Sequence, residues 1–132
     1  MTNPIDDAAL GEAAALFKVL SDPNRLRIFN VLMAGDTCNC EMAEMLDTPA
    51  NLLSHHLRVL RKAGLISSRR DSIDGRWIYY SVNKEAVTRW HGWLSMFFDP
   101  ARVQKRKVLC GPEGDQARMT ESVFITKEIE LQ

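Results

Sequence analysis

The spacing of hydrophobic residues predicts four helices in the first half of the chain. Apolar side chains recur every three or four positions, which places them on one face of a helix. The predicted helices cover about residues 8–20, 24–34, 39–46 and 49–63. Asp22–Pro23 and Thr48–Pro49 precede two of them, and a capping side chain followed by proline is typical of a helix start. Gly64 is expected to end the fourth helix.

After Gly64 the hydrophobic period changes from helical to alternating. Residues 65–70 and 76–82 form two alternating segments, and Asp74–Gly75 between them is a pair favoured in hairpin turns. Helical spacing returns over about residues 84–98, with several aromatic side chains. Such a terminal helix has more apolar surface than one small core needs, which favours a subunit interface.

These elements predict a fold that is mainly α with a small β-hairpin. Four helices, two strands and a fifth helix, in that order, are the elements of a winged helix-turn-helix, here expected to be dimeric. We expect residues 1–98 to form the DNA-binding and dimerisation domain. Residues 99–132 are expected to form a C-terminal tail that can carry a sensor ligand.

The composition of the chain indicates the cellular compartment in which we expect the protein. The 132 residues are 45% hydrophobic and 26% charged, as in soluble globular proteins. The sequence has no apolar run of about 18 residues and no signal-peptide pattern at its start, so we expect a cytoplasmic protein without a membrane partner. Three cysteines, an odd number, argue for free thiols or ligands rather than a disulfide framework.

The formal net charge is zero, but the charges are unevenly distributed. Residues 49–82 hold six Lys or Arg residues against two Asp residues. A basic middle segment between neutral or acidic flanks suits binding to double-stranded DNA through one face of the molecule.

The fourth predicted helix and the hairpin supply the candidate DNA contacts. Asn51 and His55 can hydrogen-bond to base edges in the major groove. The side chains better suited to phosphates are Ser54, Arg58, Lys62, Arg69, Arg70 and Arg76. A short helix before a longer one also occurs in many all-α proteins, and surface Lys and Arg are usually only solvated. The pattern alone therefore leaves DNA binding open.

Three segments of the chain resemble one protein family. Residues 20–28 read LSDPNRLRI, which is similar to the L-x-D-P-x-R-L-x-I opening of the ArsR/SmtB family of metalloregulatory repressors. Residues 53–66, LSHHLRVLRKAGLI, resemble that family's recognition helix. Arg69–Arg70 and residues 75–80, GRWIYY, resemble its wing. The resemblance covers about residues 14–90.

The resemblance implies a DNA-binding repressor rather than an enzyme. It implies a homodimer formed by the first and last helices of the domain, bound to an imperfect inverted repeat and released by an inducer. Cys38 and Cys40 resemble the C-x-C of members that sense arsenic, cadmium or lead. Thiolates suit such soft ions. As(III) or Sb(III), which favour three sulfurs, is the expected inducer, with Cd(II) or Pb(II) next and no organic cofactor.

The local geometry restricts how Cys38 and Cys40 can share an ion. Positions two apart inside a regular helix point in nearly opposite directions. The two thiols can meet one ion if the helix starts between them, with Thr37 or Asn39 near the cap, or if ligation unwinds the first turn. Either arrangement couples ion binding to the neighbouring recognition helix.

The third ligand departs from the family's patterns. The family's arsenic pattern expects a cysteine where Ala43 stands. Its cadmium and lead members draw further cysteines from the N-terminal arm, and this arm has none. Cys110 is the remaining thiol, from the same chain or from the partner, and completes the predicted metal set with Cys38 and Cys40.

The family's zinc site on the last helix needs paired Asp and His ligands, and His91 alone does not supply them. His55 and His56 are adjacent on a helix, so we expect His55 to face DNA and His56 to pack or cap.

Several alternatives stay open at the level of sequence. The same fold can carry a thiol redox or persulfide switch in which Cys110 bridges to Cys38 or Cys40. Cys38 and Cys40 can also be inert apolar residues in a DNA-binding or protein-interaction module without an inducer. A cysteine-dependent enzyme is disfavoured, because no histidine stands in an obvious catalytic pairing with a thiol.

Overall fold

The computed structural model describes residues 3–105, 108–112 and 114–116. The chain divides into two compact units, Met1–Phe97 and Phe98–Gln132. The first unit contains the helices and strands of the winged helix-turn-helix. The described part of the second unit includes a 3₁₀ turn at Pro100–Arg102 and Cys110.

The first unit confirms the predicted class, mainly α with a small sheet. Its elements are α1 (Asp7–Leu20), α2 (Pro23–Met33), β1 (Thr37–Cys38), α3 (Asn39–Met45), α4 (Ala50–Lys62), β2 (Ile66–Arg70), β3 (Ile78–Val82) and α5 (Lys84–Phe97). The five helices and the two hairpin strands all lie within one or two residues of the predicted bounds. The short strand β1 was not predicted.

Two of the three predicted helix boundaries have the expected chemistry. The Asp22 side chain accepts from the backbone N–H of Asn24 at 2.7 Å, with Pro23 in the first turn of α2. Gly64 follows α4 in the left-handed region, at φ 77°. The expected Thr48 cap is wrong: Pro49 is the cap residue of α4, and the Thr48 hydroxyl donates instead to the Leu46 carbonyl at 3.0 Å.

The core joins α2, α3 and α4. Its fully buried large side chains are Ile28, Met42, Leu53, Leu57 and Leu60. Three of these five belong to α4, and each such side chain contributes roughly 1.5–3 kcal/mol when removed from water. Burial therefore fixes the inner face of α4, whereas its outer face is exposed.

The sheet has three antiparallel strands in the order β1-β3-β2. β2 and β3 form the predicted hairpin, with register from Ile66 opposite Val82 to Arg70 opposite Ile78. The strand β1 joins the outer side of β3. Two residues are too few to show an alternating hydrophobic pattern, so this strand arises only because the folded chain brings it beside β3.

The loop at the tip of the hairpin is longer than the predicted two-residue turn. Residues 71–77 connect the strands, and the Asp71 N–H donates to the Trp77 carbonyl at 2.8 Å. The Asp74–Gly75 pair does lie in a turn, closed by the Trp77 N–H donating to the Asp74 carbonyl at 3.1 Å. The Asp71 side chain accepts from the N–H groups of Ile73 and Asp74, which orders the rest of the loop.

The last helix, α5, leaves much of its apolar surface open. None of its residues is fully buried, although Trp90 packs against the edge of the core. Trp93 stacks on Phe97 with ring centroids 4.8 Å apart. On α1, Phe17 is also exposed. Within the described ranges, no helix combines the length and the hydropathy needed to cross a bilayer.

Candidate DNA-binding surface and cysteine pair

The five candidate DNA contacts on α4 lie on one exposed face. They are Asn51, Ser54, His55, Arg58 and Lys62. Each helical residue advances about 100°, so this spacing places the five within about 100° of the helix circumference. The buried residues of the same helix lie on the opposite side. The structure therefore brings these candidates together as one stripe on a helix, the element that a major groove admits.

The wing supplies three further arginines, all exposed. The Arg69 guanidinium lies over the Tyr79 ring, 4.5 Å from its centroid. Arg70 Nη1 donates to the Gly75 carbonyl at 2.6 Å and thereby braces the loop. Arg69 and Arg70 are thus held in defined positions, which reduces the entropy that a phosphate contact would cost.

Arg76 is exposed but already has a carboxylate partner. Its Nη2 lies 2.7 Å from Asp74 Oδ2, and its Nε also donates to the same carboxylate. The hydrogen bond from the Arg76 side chain lowers the pKa of Asp74, and the same bond raises the pKa of Arg76. The Asp74 carboxylate thus orients the Arg76 guanidinium at the wing tip and offsets part of its charge.

Lys62, at the end of the stripe, has a second environment. It lines an apolar groove of about 380 Å³ between α1, α4 and α5, together with Glu12, Val19 and Trp90. Its aliphatic stem can cover this apolar surface while the ammonium stays in water. Lys62 therefore belongs to both surfaces.

The two neighbouring cysteines lie on either side of a helix start. Cys38 is extended, at φ −89° and ψ 162°, and is the cap residue of α3, whereas Cys40 lies inside the first turn. The Cys38 Sγ accepts a hydrogen bond from the Glu41 N–H at 3.4 Å. This is the first of the two arrangements expected from the sequence: the helix starts between the two cysteines, and Thr37 and Asn39 lie on either side of the cap residue, Cys38.

Thr37 and Glu41 complete this helix start. The Thr37 hydroxyl donates to Glu41 Oε2 at 2.8 Å, so the carboxylate reaches back toward the strand as in a capping box. Thr37 is buried, Cys38 is half-buried and Cys40 is exposed. One sulfur is therefore integrated into the fold, and the other is accessible to solutes.

The pair supplies two free thiols one residue apart, and thiolates are the ligands that thiophilic ions prefer. Within the described residues, no group of three His, Cys, Asp or Glu side chains is arranged to hold a metal. Cys110, the predicted third ligand, is exposed in the second unit, and none of the three cysteines forms a disulfide. His91 is exposed on α5.

Sequence reasoning missed a polar contact behind the α4 stripe. His56 is buried, as its predicted packing role requires, and its Nδ1 lies 3.4 Å from Arg25 Nη1. Arg25 also donates through Nε to the Val19 carbonyl at 2.5 Å. The sequence signal was a histidine on the leucine face of α4, but no pattern identifies its partner thirty-one positions away.

Comparison with known proteins agrees with this arrangement of helices and wing. Residues 22–68 match the model of the family described as "Bacterial regulatory protein, arsR family". The chain is 33% identical over 95 residues to the arsenical resistance operon repressor of Escherichia coli K12, covering 70% of this chain and 75% of that protein. The chain belongs to the ArsR family.

Two further ArsR relatives add context. A Staphylococcus aureus homologue of the cadmium resistance regulatory protein CadC is 36% identical over 86 residues, which is 64% of each chain. A homodimeric winged helix-turn-helix DNA-binding domain from Mycobacterium bovis, a possible ArsR-family regulator solved by NMR, superposes with a TM-score of 0.55 at 25% identity. That match covers 75% of this chain and 88% of the other.

The family assignment confirms three predictions from the sequence. The ArsR/SmtB resemblance is correct, the fold is a winged helix-turn-helix, and the protein is a DNA-binding transcriptional regulator rather than an enzyme.

Proposed function

We propose that this ArsR-family protein is a cytoplasmic repressor that leaves its operator when Cys38 and Cys40 bind trivalent arsenic or antimony. Cys110 is proposed as the third sulfur ligand. The observation that carries this proposal is the position of Cys38, which caps α3 and also belongs to the strand that pairs with the wing. Arsenical and cadmium resistance regulators among the relatives support an ion inducer.

DNA binding is proposed to use the α4 stripe and the wing together. Asn51 and His55 read base edges, and Ser54, Arg58 and Lys62 contact phosphates beside them. Arg69, Arg70 and Arg76 then contact the adjacent backbone or minor groove. Their common exposure supports this assignment, because an exposed side chain can reach DNA without a change in the fold.

Two contacts can transmit ion binding from Cys38 to the DNA-binding surface. An ion shared by Cys38 and Cys40 would draw the Cys38 sulfur away from the Glu41 N–H that now donates to it, and this would weaken the cap on the first turn of α3. That helix packs on α4 through Met42, and the Thr48 N–H before α4 donates to the Ala43 carbonyl at 3.1 Å. The second contact is the β1–β3 pairing, which reaches the wing.

The operator is proposed to be an inverted repeat bound by a homodimer. The open apolar surfaces on α1 and α5 support an interface there, and the Mycobacterium bovis relative is homodimeric. A two-fold dimer presents two α4 helices to half-sites about one DNA turn apart, which matches a palindromic operator.

An arsenite titration tests the proposal. A duplex selected from a random pool by the protein itself serves as the probe, and fluorescence anisotropy reports binding. We expect one equivalent of arsenite per site to weaken binding by about tenfold or more, and Cys38→Ser and Cys40→Ser to abolish the response. Cys110→Ser shows whether a third sulfur contributes. Operator binding that is unaffected by stoichiometric arsenite would overturn the ion proposal.

The accessibility of Cys40 and Cys110 favours one alternative, a repressor controlled by thiol oxidation or persulfidation. In that case peroxide would take two electrons and two protons from a thiol pair, forming a disulfide and water. Polysulfide would transfer sulfur to the same thiols. Release of DNA by peroxide or polysulfide, without a response to arsenite, distinguishes this function from the first. Mass spectrometry then identifies the oxidised cysteines.

A further inference from the structure

His56 is a titratable side chain on the packed face of α4, where DNA contact gives it no role. Only 4% of its surface is exposed, whereas its neighbour His55 is exposed on the DNA-facing stripe. The two rings lie 5.6 Å apart, centroid to centroid. A buried imidazole has two polar ring nitrogens, and each needs a hydrogen-bond partner.

The partner of His56 fixes the protonation of its ring. Arg25 Nη1 lies 3.4 Å from Nδ1, and a guanidinium can only donate. Nδ1 must therefore accept, so it carries no proton. In the neutral ring the proton is then on Nε2, which is buried and has no hydrogen-bond partner among the described residues. An apolar side chain would avoid that unpaired donor but would not accept from Arg25.

Arg25, in α2, is itself held by α1 and by the cap of its own helix. Its Nε donates to the carbonyl of Val19, in the last turn of α1. Its Nη1 lies 3.8 Å from Oδ2 of Asp22, the residue that caps α2. The contact between Arg25 and His56 therefore connects the inner face of α4 to the junction of α1 and α2.

We propose that the neutral His56 ring is a positioning residue for DNA binding, and that its protonation lowers operator affinity. By accepting from Arg25, the ring holds the rotation of α4 that its buried leucines set. That rotation determines the direction of His55 and Ser54 on the exposed stripe. The inference rests on the proposed role of α4 as the DNA-reading helix, but it requires no inducer.

The surrounding charges set the direction of the effect. The charged or titratable groups that face the ring are Arg25, Asp22 and the adjacent His55. Burial lowers the pKa of His56, Asp22 raises it, and Arg25 and His55 lower it, with a net lowering. A proton on Nδ1 would bring an N–H toward the guanidinium N–H groups and remove the acceptor. Acid therefore breaks the contact with Arg25, and Asp22 offsets only part of the repulsion.

Three variants of the full chain test this inference. His56→Asn keeps an acceptor near the position of Nδ1 but does not titrate. His56→Leu keeps apolar packing and removes the acceptor. His91→Asn is the matched control, because it removes an exposed histidine on α5. The probe is a duplex selected from a random pool by the wild-type protein near pH 8, measured by anisotropy at constant ionic strength down to about pH 5.

We expect wild-type affinity to fall by about fivefold or more as the pH is lowered. His56→Asn should bind within about threefold of wild type near pH 8 and lose most of that pH dependence. His56→Leu should bind about fivefold or more weakly at every pH. His91→Asn should keep the wild-type profile. Any contribution from His55 persists in His56→Asn, so the difference between the two profiles isolates His56.

Two results would overturn the inference. One is a His56→Asn profile with the full pH dependence of wild type. The other is wild-type affinity in a His56→Leu protein that circular dichroism shows to be folded. If His56→Leu does not fold, the His56→Asn profile decides. A wild-type protein that selects and binds no DNA near pH 8 contradicts the proposed function itself, which distinguishes the two failures.

Discussion

Cys38 is the register partner of Tyr79 across the β1–β3 ladder. The Tyr79 ring in turn supports the Arg69 guanidinium on the neighbouring strand. One half-buried sulfur is thus two contacts away from a candidate phosphate ligand in the wing. A displacement of β1 toward a bound ion would act on the wing directly, in addition to any effect through α3.

Substitutions of Tyr79 test whether the support of Arg69 by this ring contributes to DNA binding. Tyr79→Leu removes the aromatic face beneath Arg69 and should weaken operator binding about two- to fivefold, since an exposed cation–π contact contributes roughly 0.5–1 kcal/mol. Tyr79→Phe retains the ring and should bind as wild type. Anisotropy measurements without inducer check both variants. Equal weakening in the two would instead implicate the hydroxyl.

Two substitutions of Cys38 distinguish its structural role as the cap of α3 from its proposed role in sensing. Serine is a good cap residue, so Cys38→Ser should keep the free energy of unfolding within about 1 kcal/mol of wild type and still lose the arsenite response. Cys38→Ala loses both cap and ligand and should be the less stable of the two. Urea unfolding and the arsenite titration together measure these effects. A stable, fully responsive Cys38→Ser protein would exclude Cys38 as a ligand.

The pairing of Arg76 with Asp74 predicts opposite effects for two substitutions. Arg76→Ala should weaken binding to all sequences and reduce the salt slope by about one. Asp74→Asn frees the guanidinium and removes a negative charge from the wing tip, so it should strengthen binding. Lys84→Ala, at the start of α5, removes one positive charge, as Arg76→Ala does, but away from the wing. It should leave the salt slope unchanged. The slope is read from anisotropy titrations at several salt concentrations.

Substitution of a base-reading residue should behave differently from substitution of a phosphate contact. Asn51→Ala should cost about 1–3 kcal/mol of discrimination at one operator position and relax the preference there. The salt slope should not change, because no charge is lost. Competition assays with single-base variants of the selected duplex measure this. A uniform loss over all variants would reassign Asn51 to the backbone.

Two lowered pKa values predict separate pH windows of stability. Burial is the main cause of the lowered pKa of His56, so the unfolded chain takes up that proton first and stability falls as the pH drops below about 6.5. For Asp22, burial raises the pKa, but N–H donors from Asn24 and Arg25 and the charges of His56 and Arg25 lower it below 3.8. Its contribution is present above about pH 3.8 and is lost as the pH falls through the lowered value.

Urea unfolding at a series of pH values measures both windows. His56→Asn should remove the loss of stability that begins near pH 6.5 and leave the more acidic one. Asp22→Asn keeps a capping side chain and should reduce the acidic loss. A wild-type protein whose stability is constant between about pH 7 and pH 5 would contradict the neutral, buried state of His56.

The sequence by itself determined the order of the five helices and the hairpin, the leucine face of α4 and the exposed stripe opposite it. These follow from hydrophobic period and from local boundary chemistry, as at Asp22 and Gly64, which act within a few residues. The same local rules failed at Thr48, where the hydroxyl binds a preceding carbonyl. They also failed at the wing tip, where Asp71 organises a longer loop.

Only the tertiary structure decided that Cys38 would both cap a helix and pair with Tyr79, and that His56 would meet Arg25. The pairing of Cys38 with Tyr79 and the contact of His56 with Arg25 join segments about forty and thirty positions apart, and no hydrophobic period encodes such a pairing. Their geometry results from packing α2, α3 and α4 around one core, which sets the distances between side chains that local sequence leaves independent.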